Sequence, residues 1–348
     1  SDVQWNRDKT TSQKAPPGVS LDPTAASSPP GILTAALPGC SAFTRYMPEK
    51  KLDPVTPADR ARFFLSADSP REKTLIDTSG ITINITRIFA AAPDLSHVTS
   101  RRPLLDRLLL GLQHIRRNQD RSPRYIERVV FARSQKYWEK SLYTVAEFGM
   151  HLEEFVQLPE ADKLTLYKMA WGSVHRLERI FATIDIFGRQ QLLDEIAKGR
   201  MLFVTTDHHY IDYKKTEFDM SFLTDLNSDA IKRMLMPSVE QLYEAGITLI
   251  EERVCDIEIV YLLALLLWHV EGWPVSDATH AVADSLRERL SAELHDYYVT
   301  EMRLPSYAAR HVRLLGLLDD IENVQHERSR MIELARIFDL FKFDLNDT

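Results

Sequence analysis

The run Ile259–Trp268 contains no charged side chain and only one hydroxyl, that of Tyr261. With its flanks it reads as a helix from Ile257 to Val270 that is apolar on nearly every side. Such a helix has no face to offer to water and must be buried between other layers. It is also too short for a bilayer, which takes about 20 residues of apolar helix. The rest of the fold must therefore enclose one helix completely. Helical periodicity elsewhere supplies the enclosure. Leu104, Leu105, Leu108, Leu109, Leu112 and Ile115 recur at three- and four-residue steps after Pro103, a residue suited to a first turn. A helix over 135–158 places Leu142, Val145, Ala146, Gly149, Leu152 and Val156 on one face. Pro159 opens the next, with Glu160 and Asp162 in the first turn, where the helix dipole favours acids. That helix carries Leu164, Tyr167, Trp171, Val174, Leu177 and Phe181 and stops at Gly188.

The β-branched and aromatic stretch 201–206 is the best strand candidate, with 210–213 as its partner. Helices resume over 230–245 and 257–270. Gly272 and Pro274 end the second of these, and Ser276 or Asp277 caps the one that follows. The reading closes with helices over 307–331 and 332–345. Roughly eight to eleven helices, one of them buried all round, predict an all-α layered sandwich. Residues 75–90, where Ile81, Ile83 and Ile85 alternate with polar residues, fit either a strand or a helix entry. Ten of the 17 prolines fall in the first 70 residues among Ser, Ala and Thr. That composition predicts a largely disordered linker over 1–70 and a folded domain over 71–348.

The chain has a net charge of −7 and no dominant Lys/Arg cluster, so its field does not favour a phosphate backbone. Cys40 and Cys255 are too few for a zinc module, and any DNA-reading module is expected upstream. The N-terminus is polar and lacks a signal-peptide pattern. There is no Gly-rich phosphate loop, no Gly-x-Ser-x-Gly and no His-Glu-x-x-His, so neither an enzyme nor a cofactor is expected. His208-His209 beside Asp207 lacks further ligands nearby and reads as a solvated loop rather than a metal site.

The segment Glu147–Trp171, EFGMHLEEFVQLPEADKLTLYKMAW, resembles the signature of nuclear receptor ligand-binding domains, with Phe148, Phe155, Leu158, Asp162, Leu166 and Trp171 on the motif positions. The chain end Phe338–Leu345, FDLFKFDL, looks like the activation helix of that family. Asp162-Lys163 in place of Asp-Gln, with this ending, is most similar to the nematode expansion of nuclear receptors. The resemblance covers about residues 100–348. It implies a three-layer antiparallel helical sandwich with a small β-turn, acting in the nucleus as a ligand-regulated or constitutive transcription regulator.

Several site assignments follow from the resemblance. A small apolar ligand, lipid or steroid-like, would meet Val145, Phe148, Gly149, Leu152, Val174, His175, Arg179, Phe203, Leu235, Met236, Leu314 and Leu318. Each of these is also what a filled core would contain. A coactivator or corepressor helix, with leucines at i, i+3 and i+4, would lie on Tyr143, Ala146, Met150, Lys163, Leu164 and Tyr167 under the C-terminal helix, at Asp339, Leu340 and Phe341. Met150 takes the place of the usual clamp lysine, leaving Lys163 to supply the cation and Asp339 or Asp344 the acid. The family's carboxylate-holding arginine falls on Ala182, and Arg179 one turn earlier is the substitute. The helix 307–331 would dimerise, homotypically or with another receptor, through Arg310, Arg313, Asp319 and Glu322, unless these form a solvated face. Neither nucleic acid nor membrane is expected as a partner of this chain. The rival reading is a ligand-independent helical scaffold. A receptor calls for a cavity of several hundred Å³ under the last helix, and a scaffold for a filled core.

Overall fold

The computed structural model describes residues 74–91, 102–337, 340 and 342–346, within the unit Arg62–Thr348. The Pro-rich segment 1–70, Phe338, Asp339 and Phe341 lie outside the described residues. A strand, β1 (Thr74–Asp77), leads into α1 (Ser79–Ala90). Then come α2 (Leu104–Arg116), the short strands β2 (Arg124–Tyr125) and β3 (Arg128–Val130), α3 (Phe131–Gly149), α4 (Glu153–Val156), α5 (Glu160–Phe187) and α6 (Arg189–Ala197). After β4 (Leu202–Val204), β5 (His209–Asp212) and β6 (Glu217–Asp219), the chain continues as α7 (Ser228–Glu251), α8 (Asp256–Leu267), α9 (Asp277–Asp296), α10 (Ala308–Ile337) and β7 (Phe343–Asn346).

The helix that constrained the reading is α8. Ile259, Val260, Leu262, Leu263 and Ala264 are each 0% exposed, as is Trp268 at its C-cap. It packs against α2, α5, α9 and α10. The middle layer is α8 with α5, which touches α1 and α3 on one flank and α7 and α10 on the other. The result is a three-layer helical sandwich. Two buried polar ties fix its layers. The Asp162 carboxylate, in the first turn of α5, accepts from Ser276 N at 3.2 Å, Ser276 Oγ at 2.6 Å and Thr279 Oγ1 at 2.6 Å, joining α5 to the start of α9. Burial opposes the charge on Asp162, but these donors outweigh it and hold its pKa below the ordinary value. Glu258, 0% exposed, receives Arg310 from α10 through Nε at 2.6 Å and Nη2 at 2.7 Å, and the Tyr298 hydroxyl at 2.8 Å.

The central hairpin appears where it was expected: Leu202, Phe203 and Val204 pair antiparallel with Asp212, Ile211 and Tyr210. The ambiguous stretch 75–90 is both of its alternatives in turn, strand β1 and then helix α1. The helix expected over 135–158 is broken. Leu152 is extended between α3 and α4, and the Phe155 ring folds back over Gly149, where an added Cβ would meet it at 3.1 Å.

The chain end departs most from expectation. Among the described residues no separate helix covers 332–345: Ile332–Ile337 prolongs α10, and Phe343–Asn346 is a strand. This β7 runs parallel to β1, in the register Thr74↔Phe343 to Asp77↔Asn346. Phe343-Asp344-Leu345 alternates apolar and polar with period two, which suits a strand as well as the aromatic content does. The turn before it is anchored by Thr224 Oγ1 donating to Leu340 O at 2.8 Å and by Lys342 N donating to Leu223 O at 2.8 Å.

Candidate functional site

The residues expected to line a groove sit on two packed helices, α3 and α5, and the segment just after α3. Tyr143 and Ala146 of α3, Met150 just beyond it, and Leu164 and Tyr167 of α5 belong to the main apolar core, with Lys163 buried beside them on α5. Their cover is α1. Ile81, Ile85, Ile88 and Phe89 fall at steps of four, three and one, a single helical face. Ile85 and Phe89 are each 3% exposed, whereas Ile83 on the opposite face is 51% exposed. The Phe89 ring meets Phe155 edge-on at 5.6 Å and Tyr167 at 5.8 Å. Asn84 Nδ2 donates to the Tyr143 hydroxyl at 3.0 Å, and that hydroxyl donates to Glu139 at 2.7 Å.

Lys163 lies at the end of this helix. Its Nζ donates to the Phe89 carbonyl at 3.4 Å, one of the carbonyls in the last turn of α1 that no helical N–H can reach. A cation there meets the negative end of the helix dipole. Burial pushes the Lys163 amine below its ordinary pKa, against the pull of Glu160. The acidic end is not on view: Asp339 and Phe341 lie outside the described residues, and Asp344 sits in β7, paired with Leu75. Leu340 bonds to Ala335 and Thr224 rather than to the groove residues named above.

The expected pocket residues are divided between two apolar clusters and a polar group. Val145, Phe148, Leu152, Val174 and Leu314 are packed in the main core, with Leu318 at its edge and Gly149 under Phe155. Phe203, Leu235 and Met236 join a second apolar cluster around Met201, Ile211, Tyr213 and Val239. His175 and Arg179 belong to a polar group on the inner side of α5. Glu178 receives Arg116 Nε at 2.7 Å on one oxygen, Arg179 Nε at 2.5 Å on the other, and Arg179 Nη2 at 2.9 Å. Burial works against its charge, but the two guanidinium groups prevail and hold the carboxyl at about 2. Arg179 also donates to Gln119 at 2.8 Å, so its fork is already committed within the protein. His175, against the Trp138 ring at 5.6 Å, is pushed down to about 3 by burial and then by Arg179. It is therefore neutral at pH 7.

Two concavities stand out. One of about 30 Å³, room for one water, lies between α5, α6, β4 and α7 beside Phe203 and Tyr243. The other, about 490 Å³, is an open groove between α8 and α10 lined by Leu265, His269, Val312, Leu315, Leu318, Asp319 and Glu322. Two of the four residues expected at a dimer face are thus on that groove. Arg310 is instead paired with the buried Glu258, and Arg313, itself exposed, with Glu252.

The sequence reading missed α1 as part of the site. Its signal was available in the spacing of Ile81, Ile85, Ile88 and Phe89, but the alternation at Ile81, Ile83 and Ile85 masked it.

Comparison with known proteins shows the family. A family model described as the ligand-binding domain of nuclear hormone receptor matches residues 119–338. Nuclear hormone receptor family member nhr-134 of Caenorhabditis elegans is 26% identical over 274 residues, 76% of this chain and 66% of that protein. Member nhr-213 is 27% identical over 214 residues, 60% of this chain and 49% of its own length. Member nhr-44 is 26% identical over 275 residues, covering 78% and 63%. The chain spans between about half and about two thirds of these relatives. With α3 to α10 in the order and packing described, and the Glu147–Trp171 motif at the junction of α3 and α5, the chain belongs to the family of nuclear hormone receptor ligand-binding domains.

Proposed function

We propose that this domain is a ligand-regulated module of a nuclear transcription regulator, and that it recruits coregulators by binding an apolar helix in the α3–α5 groove. One observation supports this: the apolar face of α1 packs on α3 and α5 where the groove is proposed. Ile85, Ile88 and Phe89 stand at i, i+3 and i+4, the spacing by which amphipathic helices seat themselves in grooves. Lys163 contacts the helix end where a cation is favourable. In this arrangement α1 occupies the site in cis, and a coregulator must displace it.

The strand pair β1–β7 couples that occupancy to the chain end. Only Thr78 separates β1 from α1, so holding or releasing β7 biases α1. A ligand that favours one arrangement of the chain end would thereby open or close the groove. A ligand-independent scaffold is the second reading, favoured by the close packing of Val145, Phe148, Leu152 and Val174. A reporter assay tests the function. The full chain, tethered to DNA through an unrelated DNA-binding module, is expected to change reporter output several-fold, and Phe89→Ala to shift it further. Output equal to the module alone, for both proteins, would overturn the proposal.

A further inference from the structure

The buried helix α8 has one window. From Glu258 to Val270 every residue is buried except Leu265 and His269, which stand four apart and so share a face. Both line the open groove of about 490 Å³ against α10. On α10, Leu314, Leu317, Ile321 and Val324 are buried towards the core. Val312, Leu315, Gly316, Asp319 and Glu322 recur at steps of three and four on the adjoining flank and form the other wall of the groove. The groove shares no residue with the α3–α5 surface under α1. Nothing in the fold requires Gly316. It stands in mid-helix, where glycine is disfavoured, its φ is not positive, and a Cβ there would meet nothing within 4 Å. Its missing side chain keeps the groove open between Val312 and Asp319.

The charge of the groove is one-sided. No Lys or Arg lines it, and Asp319 and Glu322 stand at one end. Glu322 meets His269 Nδ1 at 2.8 Å. Asp319 and its neighbour Asp320 have no hydrogen bond or ion pair among the described residues. Loss of water, and then the Asp319 charge, push the Asp320 carboxyl above its ordinary value. Arg310 and Arg313, the α10 cations that could answer these acids across a two-fold pair of chains, are held by Glu258 and Glu252. We propose that this groove is a ligand site for a small lipophilic cation, whose ammonium meets Asp319 and Glu322 and whose hydrocarbon body lies on Leu265, Val312 and Leu315 over Gly316. Its volume falls within the roughly 300–1,000 Å³ of small-molecule sites. The acids attract a cation and repel a carboxylate.

Titration calorimetry on the full chain at low salt, with naphthylmethylamine and its neutral isostere naphthylmethanol, tests the proposal. The amine is expected to bind roughly three- to tenfold more tightly than the alcohol, the range that two solvent-facing charge pairs allow. Asp319→Asn combined with Glu322→Gln should bring the amine down to the affinity of the alcohol and leave the alcohol unchanged, which also verifies that the variant folds. Gly316→Leu should fill the groove and weaken both compounds at least roughly tenfold, with a melting temperature no lower than the parent's, because leucine favours a helix over glycine. An amine that binds no better than the alcohol, or that is undiminished by the two acid substitutions, would overturn the cationic assignment. Binding of both compounds untouched by Gly316→Leu would place them elsewhere and overturn the site. No binding of either would overturn it as well, and a dimer in sedimentation velocity that Gly316→Leu dissociates would give the groove to a second copy of the chain instead.

Discussion

Ile85 and Phe89 hold α1 in the groove, so replacing both with alanine should expose it. Each is 3% exposed and packed against α3, α4 and α5 residues. In cores, Ile→Ala costs about 2–5 kcal/mol and Phe→Ala about 3–5. A helix docked at a surface can be rewetted, which argues for the lower ends, about 5 kcal/mol together. At about 1.4 kcal/mol per factor of ten, the docking equilibrium shifts by more than about a thousandfold. Peptide affinity cannot gain that much. The apparent Kd is the intrinsic Kd divided by the open fraction, so a groove open about 1% of the time gains at most about a hundredfold. The assay is fluorescence polarisation of a labelled Leu-x-x-Leu-Leu peptide against the full chain, with circular dichroism to confirm that the variant is folded. An affinity within twofold of the parent in a folded I85A/F89A protein would refute the reasoning.

Three further outcomes follow from named contacts. In the I85A/F89A background, Lys163→Ala should weaken the same peptide by roughly three- to tenfold, because a helix-end cation is worth about 0.3–1 kcal/mol and somewhat more when partly buried; no change would remove Lys163 from the groove. Asp162→Ala should cost about 2–4 kcal/mol at pH 7 by leaving Ser276 and Thr279 without their acceptor. Since the folded pKa of Asp162 is depressed, its contribution is full above the unfolded value of about 3.9 and is lost as pH falls through the folded value, so the gap in urea unfolding between parent and variant should narrow as pH falls below about 3.9. A gap constant across that range contradicts the assignment. Arg310→Ala leaves Glu258 buried and uncompensated, which should cost about 3–5 kcal/mol and lower the melting temperature by roughly 10 °C; Arg310→Lys should rescue little because it loses the paired donors.

What was legible in the sequence was what depends on local pattern. The α8 helix announced its burial through a run with no polar face, and α5 announced its ends through Pro159 and Gly188. Gly188 takes φ of 76°, a conformation that side chains resist, which is why the helix stops there. The placement of the proposed groove residues on α3 and α5 follows from the family motif and the helical periodicity around it. What was not legible depends on partners distant in the chain. β1 and β7 are strands because each pairs with the other across 269 positions of register, Thr74 with Phe343. Neither has the length to declare itself alone.

The central claim is that one groove accepts either α1 or a coregulator helix. Amide hydrogen exchange on the full chain, with and without saturating Leu-x-x-Leu-Leu peptide, tests it most directly. Without peptide, the amides of α1 should be protected along with those of Lys163 to Tyr167. With peptide, α1 should exchange freely while α5 stays protected. Protection of α1 that persists with the peptide fully bound would contradict the account.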